Sequence, residues 1–327
     1  MSALTIEGLR TTLVLNGRPA HALREITFEV AVGETLAVVG ESGCGKSMLA
    51  MSVMGLLPAV ALISAGRIKV GEREIQGLSE KELEKVRGRE IGMIFQEPMT
   101  ALNPVMTVGS QISEPLRDHL GLSRSAAKAR AIELMEQVRI PSAASRYNAY
   151  PHEFSGGMRQ RVVIALAIAC NPRLLIADEP TTALDVTVQR QILDLLLSLQ
   201  RERQMGMLLI THNLGIVASH AQRVMVMYGG DIAEVAPVRR LFSAPAHPYS
   251  RALLASLPRV DRDLSELSPI PGRVPPLPKL AEGCRFQDRC PHAMTRCRDL
   301  PPLIDLGEGH AVRCWLHAQE AGDASQG

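Results

Sequence analysis

Residues 40–47, Gly-Glu-Ser-Gly-Cys-Gly-Lys-Ser, constrain this chain more than any other stretch. They fit G-x-x-x-x-G-K-[ST], a loop whose backbone N–H groups cradle phosphate oxygens while its lysine reaches the outer phosphates and its hydroxyl meets Mg²⁺. Such a loop works only between a strand that holds it and a helix whose N-terminal amides and dipole face the anion. Both are legible here. Residues 35–39 are a short apolar run after the turn signal Val32-Gly33-Glu34, the pattern of a buried parallel strand. From Ser47 the segment to Leu57 reads as a buried helix, and Pro58 stops it.

At 327 residues there is room for two domains, or for one large domain with an appendage. An apolar content of 46% with 3% aromatics fits an α/β protein with an aliphatic core, and a net charge of +2 gives no reason to expect nucleic acid as a partner. The longest uninterrupted apolar run, residues 162–170, is well short of the ~18 needed to span a bilayer. Residues 1–7 lack the basic and apolar regions of a secretion signal, so the expected location is the cytoplasm. Six cysteines in such a chain are not expected to form structural disulfides.

Along the chain, alternation near Leu4 and Ile26, with a turn at 16–19 between, predicts an antiparallel β edge before the phosphate loop. Residues 66–70 read as a strand, 79–89 as a charged helix with a solvated face, and 91–95 as a second buried strand that ends at Gln96. The stretch 97–104, with two prolines, is loop chemistry, and 107–147 turns helical as an inserted subdomain. Ser155 is a natural N-cap for an apolar helix running to Cys170, and Gly156 and Gly157 leave its first amides open to an anion. Residues 174–177 form a buried strand ending in the carboxylates Asp178 and Glu179. A helix follows over 188–203, then a strand over 207–210 ending at Thr211 and His212, and a hairpin over 223–231.

Four strands thus end in Gly40, Gln96, Asp178-Glu179 and His212, which delivers polar groups to one edge of a sheet, where α/β folds place their ligand chemistry. Together with Phe154-Ser155-Gly156-Gly157-Met158, the run Leu-Leu-Ile-Ala-Asp-Glu over 174–179 and Ala183-Leu184-Asp185, these pieces make residues 1–256 resemble the ATP-binding-cassette ATPases, the nucleotide-binding subunits of ABC transporters. The resemblance implies roles. Gly40, Glu41, Ser42, Gly43, Cys44 and Gly45 wrap ATP phosphates, Lys46 charges the β and γ phosphates, and Ser47, Asp178 and Gln96 hold Mg²⁺. Glu179 polarises the attacking water, Gln96 senses the γ-phosphate and His212 hydrogen-bonds it.

In that family Ser155, Gly156 and Gly157 form the signature and Asp185 belongs to the D-loop. Because the signature completes the site of an opposite chain, two cassettes sandwich two ATP molecules head to tail. This chain has one phosphate loop and one signature, which implies a homodimer or a similar paralogous partner. Two departures stand out. Met158 replaces the usual glutamine, and no aromatic residue lies within 11–24 to stack adenine, which leaves His21 as the ring available there.

A composition shift near Pro258 begins a tail in which Cys284, Cys290, Cys297 and Cys314 are separated by five, six and sixteen residues. Four thiolates can hold Zn²⁺ or an iron–sulfur cluster, but these spacings match neither paired C-x₂-C zinc motifs nor ferredoxin runs. Spacing alone leaves open the metal, the histidine substitutes His292, His310 and His317, and free reduced thiols. The segments His247-Pro248-Tyr249, Ile270-Pro271-Gly272, Gly283-Cys284-Arg285-Phe286, Arg289-Cys290-Pro291 and Cys314-Trp315 resemble the C-terminal extension of dipeptide and oligopeptide permease ATPases. In that subfamily the four cysteines are associated with a [4Fe–4S] cluster. Cys44 and Cys170 read as small packing residues, Cys44 being a candidate for oxidation.

The expected fold is an α/β P-loop NTPase cassette over 1–256, with a mostly parallel sheet, an antiparallel β edge and a helical subdomain over 97–172, followed by a cysteine-rich extension over 257–327. The resemblance implies an ATPase motor of a di- and oligopeptide importer at the cytoplasmic face of the membrane. Its implied partners are a second ATPase chain, two transmembrane permease subunits and, through them, an extracytoplasmic binding protein. Import of nickel, opines or another small solute, and a redox-regulated ABC ATPase outside transport, are the competing readings.

Overall fold

The computed structural model of the chain describes residues 1–96, 101–181, 184–256 and 270–318. The first part of the proline loop (97–100), Ala183 of the D-loop and the composition shift at Pro258 lie outside the described residues.

The N-terminal strands β1 (Ser2–Leu15) and β2 (Arg18–Ala31) are joined by Asn16 and Gly17, both at positive φ (51° and 75°), the two-residue turn that suits twisted strands. The alternation near Leu4 and Ile26 marks only part of these 14-residue strands. Next come β3 (Thr35–Val39), buried throughout, and helix α1 (Lys46–Met54). This helix stops earlier than Leu57 because Gly55 adopts the left-handed conformation (φ 63°) and turns its N–H back onto the last carbonyls. Strands β4 (Ala61–Val70) and β5 (Arg73–Glu74) complete a four-stranded sheet in the order β2-β1-β4-β5.

Helix α2 (Glu80–Val86) starts after Ser79, whose N–H donates to Glu82 Oε2 (2.9 Å), and ends short of Arg89. Strand β6 (Ile91–Ile94) follows, and Phe95, expected inside it, is 42% exposed beyond its end. The helical insertion consists of α3 (Val108–Leu120), α4 (Arg124–Gln137) and α5 (Ala143–Arg146), the first two capped by the Thr107 and Ser123 side chains. Helix α6 (Gly156–Ala167) ends three residues before Cys170, since the apolar run continues through a buried turn that hydropathy does not distinguish from helix. Then come β7 (Leu174–Asp178), α7 (Val186–Arg203), β8 (Gly206–Ile210), α8 (Leu214–His220), β9 (Arg223–Tyr228), β10 (Asp231–Pro237), α9 (Val238–Ser243) and α10 (Pro248–Ala255). The tail adds two short strands, β11 (Ile304–Asp305) and β12 (Ala311–Val312).

The chain divides into two compact units. One comprises Met1–Thr5, Glu29–Glu34 and Ile68–Leu209, the other Ile6–Phe28, Thr35–Arg67 and Ile210–Gly327. In the first, β8, β7 and β6 lie side by side, β6 running parallel to β7 with Met93 opposite Ile176. In the second, the order is β11-β12-β10-β9-β3, with β3 parallel to β9 (Val38 opposite Met225) and the remaining pairs antiparallel. The tail strands thus extend the same sheet that carries the phosphate loop. Its core packs Val39, Val226, Tyr228, Leu241, Tyr249 and Phe286 together, so residues 247 positions apart (Val39 and Phe286) share one apolar cluster.

Candidate functional site

In the second unit, β3 hands the chain to Gly40, where any Cβ would collide with the Met227 carbonyl and the Cys44 sulfur, so only glycine fits. The loop then closes on its own lysine. Lys46 is buried, and its Nζ donates to Gly40 O (2.8 Å) and Glu41 O (3.1 Å) and lies 3.6 Å from Cys44 Sγ. Ser42 and Gly43 are exposed, Gly45 and Ser47 half-buried, and α1 starts behind them with its N-terminal amides facing the loop. Cys44 is fully buried, and burial pushes its thiol up despite the neighbouring lysine. Thr211 N–H donates to Val38 O (3.1 Å), which sets the exposed His212 beside the end of the strand that opens into the loop.

The tail grips this loop. The Arg289 guanidinium is bidentate on the Glu41 carboxylate (2.7 and 3.1 Å), and Glu41 N–H donates to the Tyr249 hydroxyl (2.9 Å). Burial opposes the Arg289 charge, yet its hydrogen bonds to Glu41 and Tyr228 outweigh burial and hold its pKa above the ordinary arginine value. Tyr228, Tyr249 and Phe286 meet edge-on or tilted with centroids 4.8 to 5.3 Å apart, a concentration of rings in a chain that is only 3% aromatic. Arg285 donates to Gly229 O and to His21 O (2.8 Å), while Arg24 pairs with Asp231 and reaches Glu282 O and Gly283 O. His21 itself is half-buried, bonded through Nδ1 to Thr12 Oγ1 (2.9 Å), and kept below its usual pKa by burial and by Arg10, Arg285 and Arg24.

In the first unit, Gln96 and Glu179 come together, Gln96 Nε2 donating to Glu179 Oε2 at 3.2 Å. Asp178 is buried at the end of β7. Glu179 has φ 46°, a left-handed backbone uncommon for a residue with a side chain, so the strand end is shaped around this carboxylate. Ser155 caps α6 by accepting from Met158 N–H (3.4 Å), and Asp185 caps α7 by accepting from Val188 N–H (2.9 Å). A Cβ on Gly157 would stand 2.8 Å from Val188 Cγ1, so that glycine is needed for close packing of α6 on α7. Buried Gln160 donates to Pro180 O (2.6 Å), tying the signature helix to the residue after Glu179. Gln160, Arg289, Tyr228 and Tyr249 carry no spacing signal for these partnerships, although Arg289 lies in Arg289-Cys290-Pro291 and Tyr249 in His247-Pro248-Tyr249, two segments that resemble the permease-ATPase extension.

The four tail cysteines are free thiols that line one cavity together with His247, Phe286, Pro301 and Trp315. Burial pushes the Cys284 thiol up to about 12 and raises Cys290 and Cys314 as well, with further contributions from neighbouring cysteines. Burial also holds His247 down to about 3, so its neutral Nδ1 accepts from Tyr249 N–H (3.0 Å). His310 is committed elsewhere, to buried Glu234 (2.8 Å), and His317 bonds Ala246 O (3.2 Å). Among the described residues no three His, Cys, Asp or Glu side chains are gathered as a single metal ion would require. Nor is any described helix long and apolar enough to cross a membrane.

A family model described as ABC transporter matches residues 23–182, and one described as Oligopeptide/dipeptide transporter, C-terminal region, matches 233–297. A Brucella abortus protein provisionally named a peptide import ATP-binding protein is 51% identical over 324 residues, covering 95% of this chain and 96% of its own. The dipeptide transport ATP-binding protein of Bacillus subtilis is 47% identical, covering 97% and 96%. Among solved structures, a dimeric ATP-binding cassette in a post-hydrolysis state with ADP and Pi is 26% identical with a TM-score of 0.64, covering 72% of this chain and 99% of its own.

Proposed function

Because the chain belongs to the family of ATP-binding proteins of dipeptide and oligopeptide ABC transporters, we propose that it is the ATP-hydrolysing motor of a di- and oligopeptide importer. The observation that carries peptides over another solute is the match of residues 233–297 to the C-terminal region of oligopeptide/dipeptide transporters, beyond the cassette itself. The motor works on membrane permease subunits at the cytoplasmic face and pairs with a second ATPase chain.

In this reading the loop amides of residues 40–47 and Lys46 hold the phosphates, and His212 bonds the γ-phosphate. Glu179 holds and polarises the attacking water, and its hydrogen bond from Gln96 orients the carboxylate. Ser47, Asp178 and Gln96 are the residues that would hold Mg²⁺, which neutralises phosphate charge. Asp178, buried at the end of β7, and the Gln96 amide are oxygen donors suited to an ion that keeps phosphate and water ligands. Ser155, Gly156 and Gly157 close over the phosphates of the opposite chain, with Asp185 at the same interface, and His21 lies against adenine. Residues 1–256 are the motor and 257–327 its extension.

Cys284, Cys290, Cys297 and Cys314 would hold a [4Fe–4S] cluster, supplying an oxidisable centre inside the extension. Four free thiols lining one cavity support this assignment, and iron and sulfide content tests it. The motor assignment is tested by Glu179→Gln. ATP binding should persist while phosphate release falls by roughly 10²-fold or more and labelled dipeptide uptake stops. Wild-type turnover in that variant would remove Glu179 from the chemistry.

A further inference from the structure

The phosphate loop carries a carboxylate of its own. Glu41 is its second residue, and an unpaired negative charge there would repel the several negative charges of a nucleoside triphosphate. The tail answers that charge. Arg289 has only 6% of its side chain exposed, and its two nitrogens take both Glu41 oxygens while its remaining N–H groups donate to Pro271 O (2.7 Å) and to Ile270 O and Gly272 O (3.4 Å). The guanidinium is therefore fixed by main-chain acceptors independently of Glu41. Its plane also lies over Tyr228, 5.7 Å from the ring centroid, whose neighbour Tyr249 accepts the Glu41 N–H. Both the main chain and the side chain of Glu41 are held by residues far away in sequence.

Resting on the reading of residues 40–47 as the ATP phosphate loop, we propose that Arg289 is a positioning residue of that loop: it cancels the Glu41 charge and so sets how tightly the loop holds nucleotide. A purely mechanical staple would look similar in the structure, but it makes a different prediction. If charge cancellation is the role, removing both charges restores what removing one destroys. A staple stays broken when both partners are lost.

The test uses the full chain and a fluorescent ATP analogue with Mg²⁺. Arg289→Gln should weaken nucleotide binding about fivefold to tenfold, since the carboxylate is left uncompensated at the loop in partly screened surroundings. Arg289→Lys should retain part of the affinity, as a point charge without the fork geometry. The double variant Arg289→Gln with Glu41→Gln should bind within about twofold of Glu41→Gln alone, the non-additivity expected of directly coupled groups. In steady state, KM for ATP should rise more in Arg289→Gln than kcat falls. Wild-type affinity in Arg289→Gln overturns the proposal, and so does a double variant as weak as Arg289→Gln. Lys46→Ala serves as the control that separates the two readings. If it binds like the wild type, the phosphate-loop reading fails, whereas loss of binding in Lys46→Ala with no effect of Arg289→Gln defeats only the present proposal.

Discussion

Cys44 sits two residues before the phosphate-loop lysine, where a nearby cation would ordinarily favour the thiolate and make the sulfur reactive. Burial wins instead: its side chain is fully covered and its thiol is raised above the ordinary value. Burial and the raised thiol both argue against the oxidation expected of Cys44. Because the folded pKa is raised, the thiolate fraction at pH 7.5 is smaller than for an exposed cysteine and grows only at more alkaline pH. Iodoacetamide at pH 7.5, followed by peptide mass mapping, should leave Cys44 unlabelled in the native chain and label it in urea; rapid native labelling would contradict the burial argument. At this scale the sequence was informative where function is written into consecutive residues, as in residues 40–47 and Asp178-Glu179. It was silent where function comes from a partner across space. Nothing in the spacing of Arg289 or Gln160 announces Glu41 or Pro180, because those hydrogen bonds exist only after folding.

Helix starts were more legible than helix ends. Ser155 was readable as a cap, since a side-chain oxygen satisfying first-turn amides is a local, chemically specific device. Ends depend on backbone conformations and on burial, which is why Gly55 terminates α1 ahead of the apolar Leu56-Leu57 and why α6 gives way to a turn at Ile168. The sequence alone gives the two signature glycines the task of exposing amides, and the structure gives Gly157 a second reason, the approach of Val188 on α7. Gly157→Ala should therefore cost about 1–3 kcal/mol through overpacking. Adding Val188→Ala should return much of that loss by clearing the space. Urea unfolding of the two variants measures this, and an unchanged midpoint in Gly157→Ala would show that α6 and α7 tolerate separation.

For the whole molecule, composition marks the region after residue 257 as a separate cysteine-rich tail, while the described part of it is built into the unit that carries the phosphate loop. Sequence distance hid this. Arg24 meets Asp231, Arg313 reaches Glu25 O, and Glu234 takes hydrogen bonds from Ala246, His247 and His310, pairings no local window contains. The proposed cluster would sit inside that unit. The chain purified without oxygen should contain iron and sulfide near four of each per chain with broad visible absorbance, both lost when Cys290 and Cys297 become serine. Stoichiometric zinc without iron would reject the cluster. One consequence of the tail's grip concerns time. Glu41 and Arg289 are 248 residues apart, so at roughly 5–20 residues per second a ribosome completes the phosphate loop about 10–50 s before it adds the arginine that neutralises it. A nascent chain thus carries the full nucleotide motif while still lacking the counter-charge. If Arg289 sets the nucleotide affinity of the loop as proposed, firm ATP binding waits until that arginine has been added.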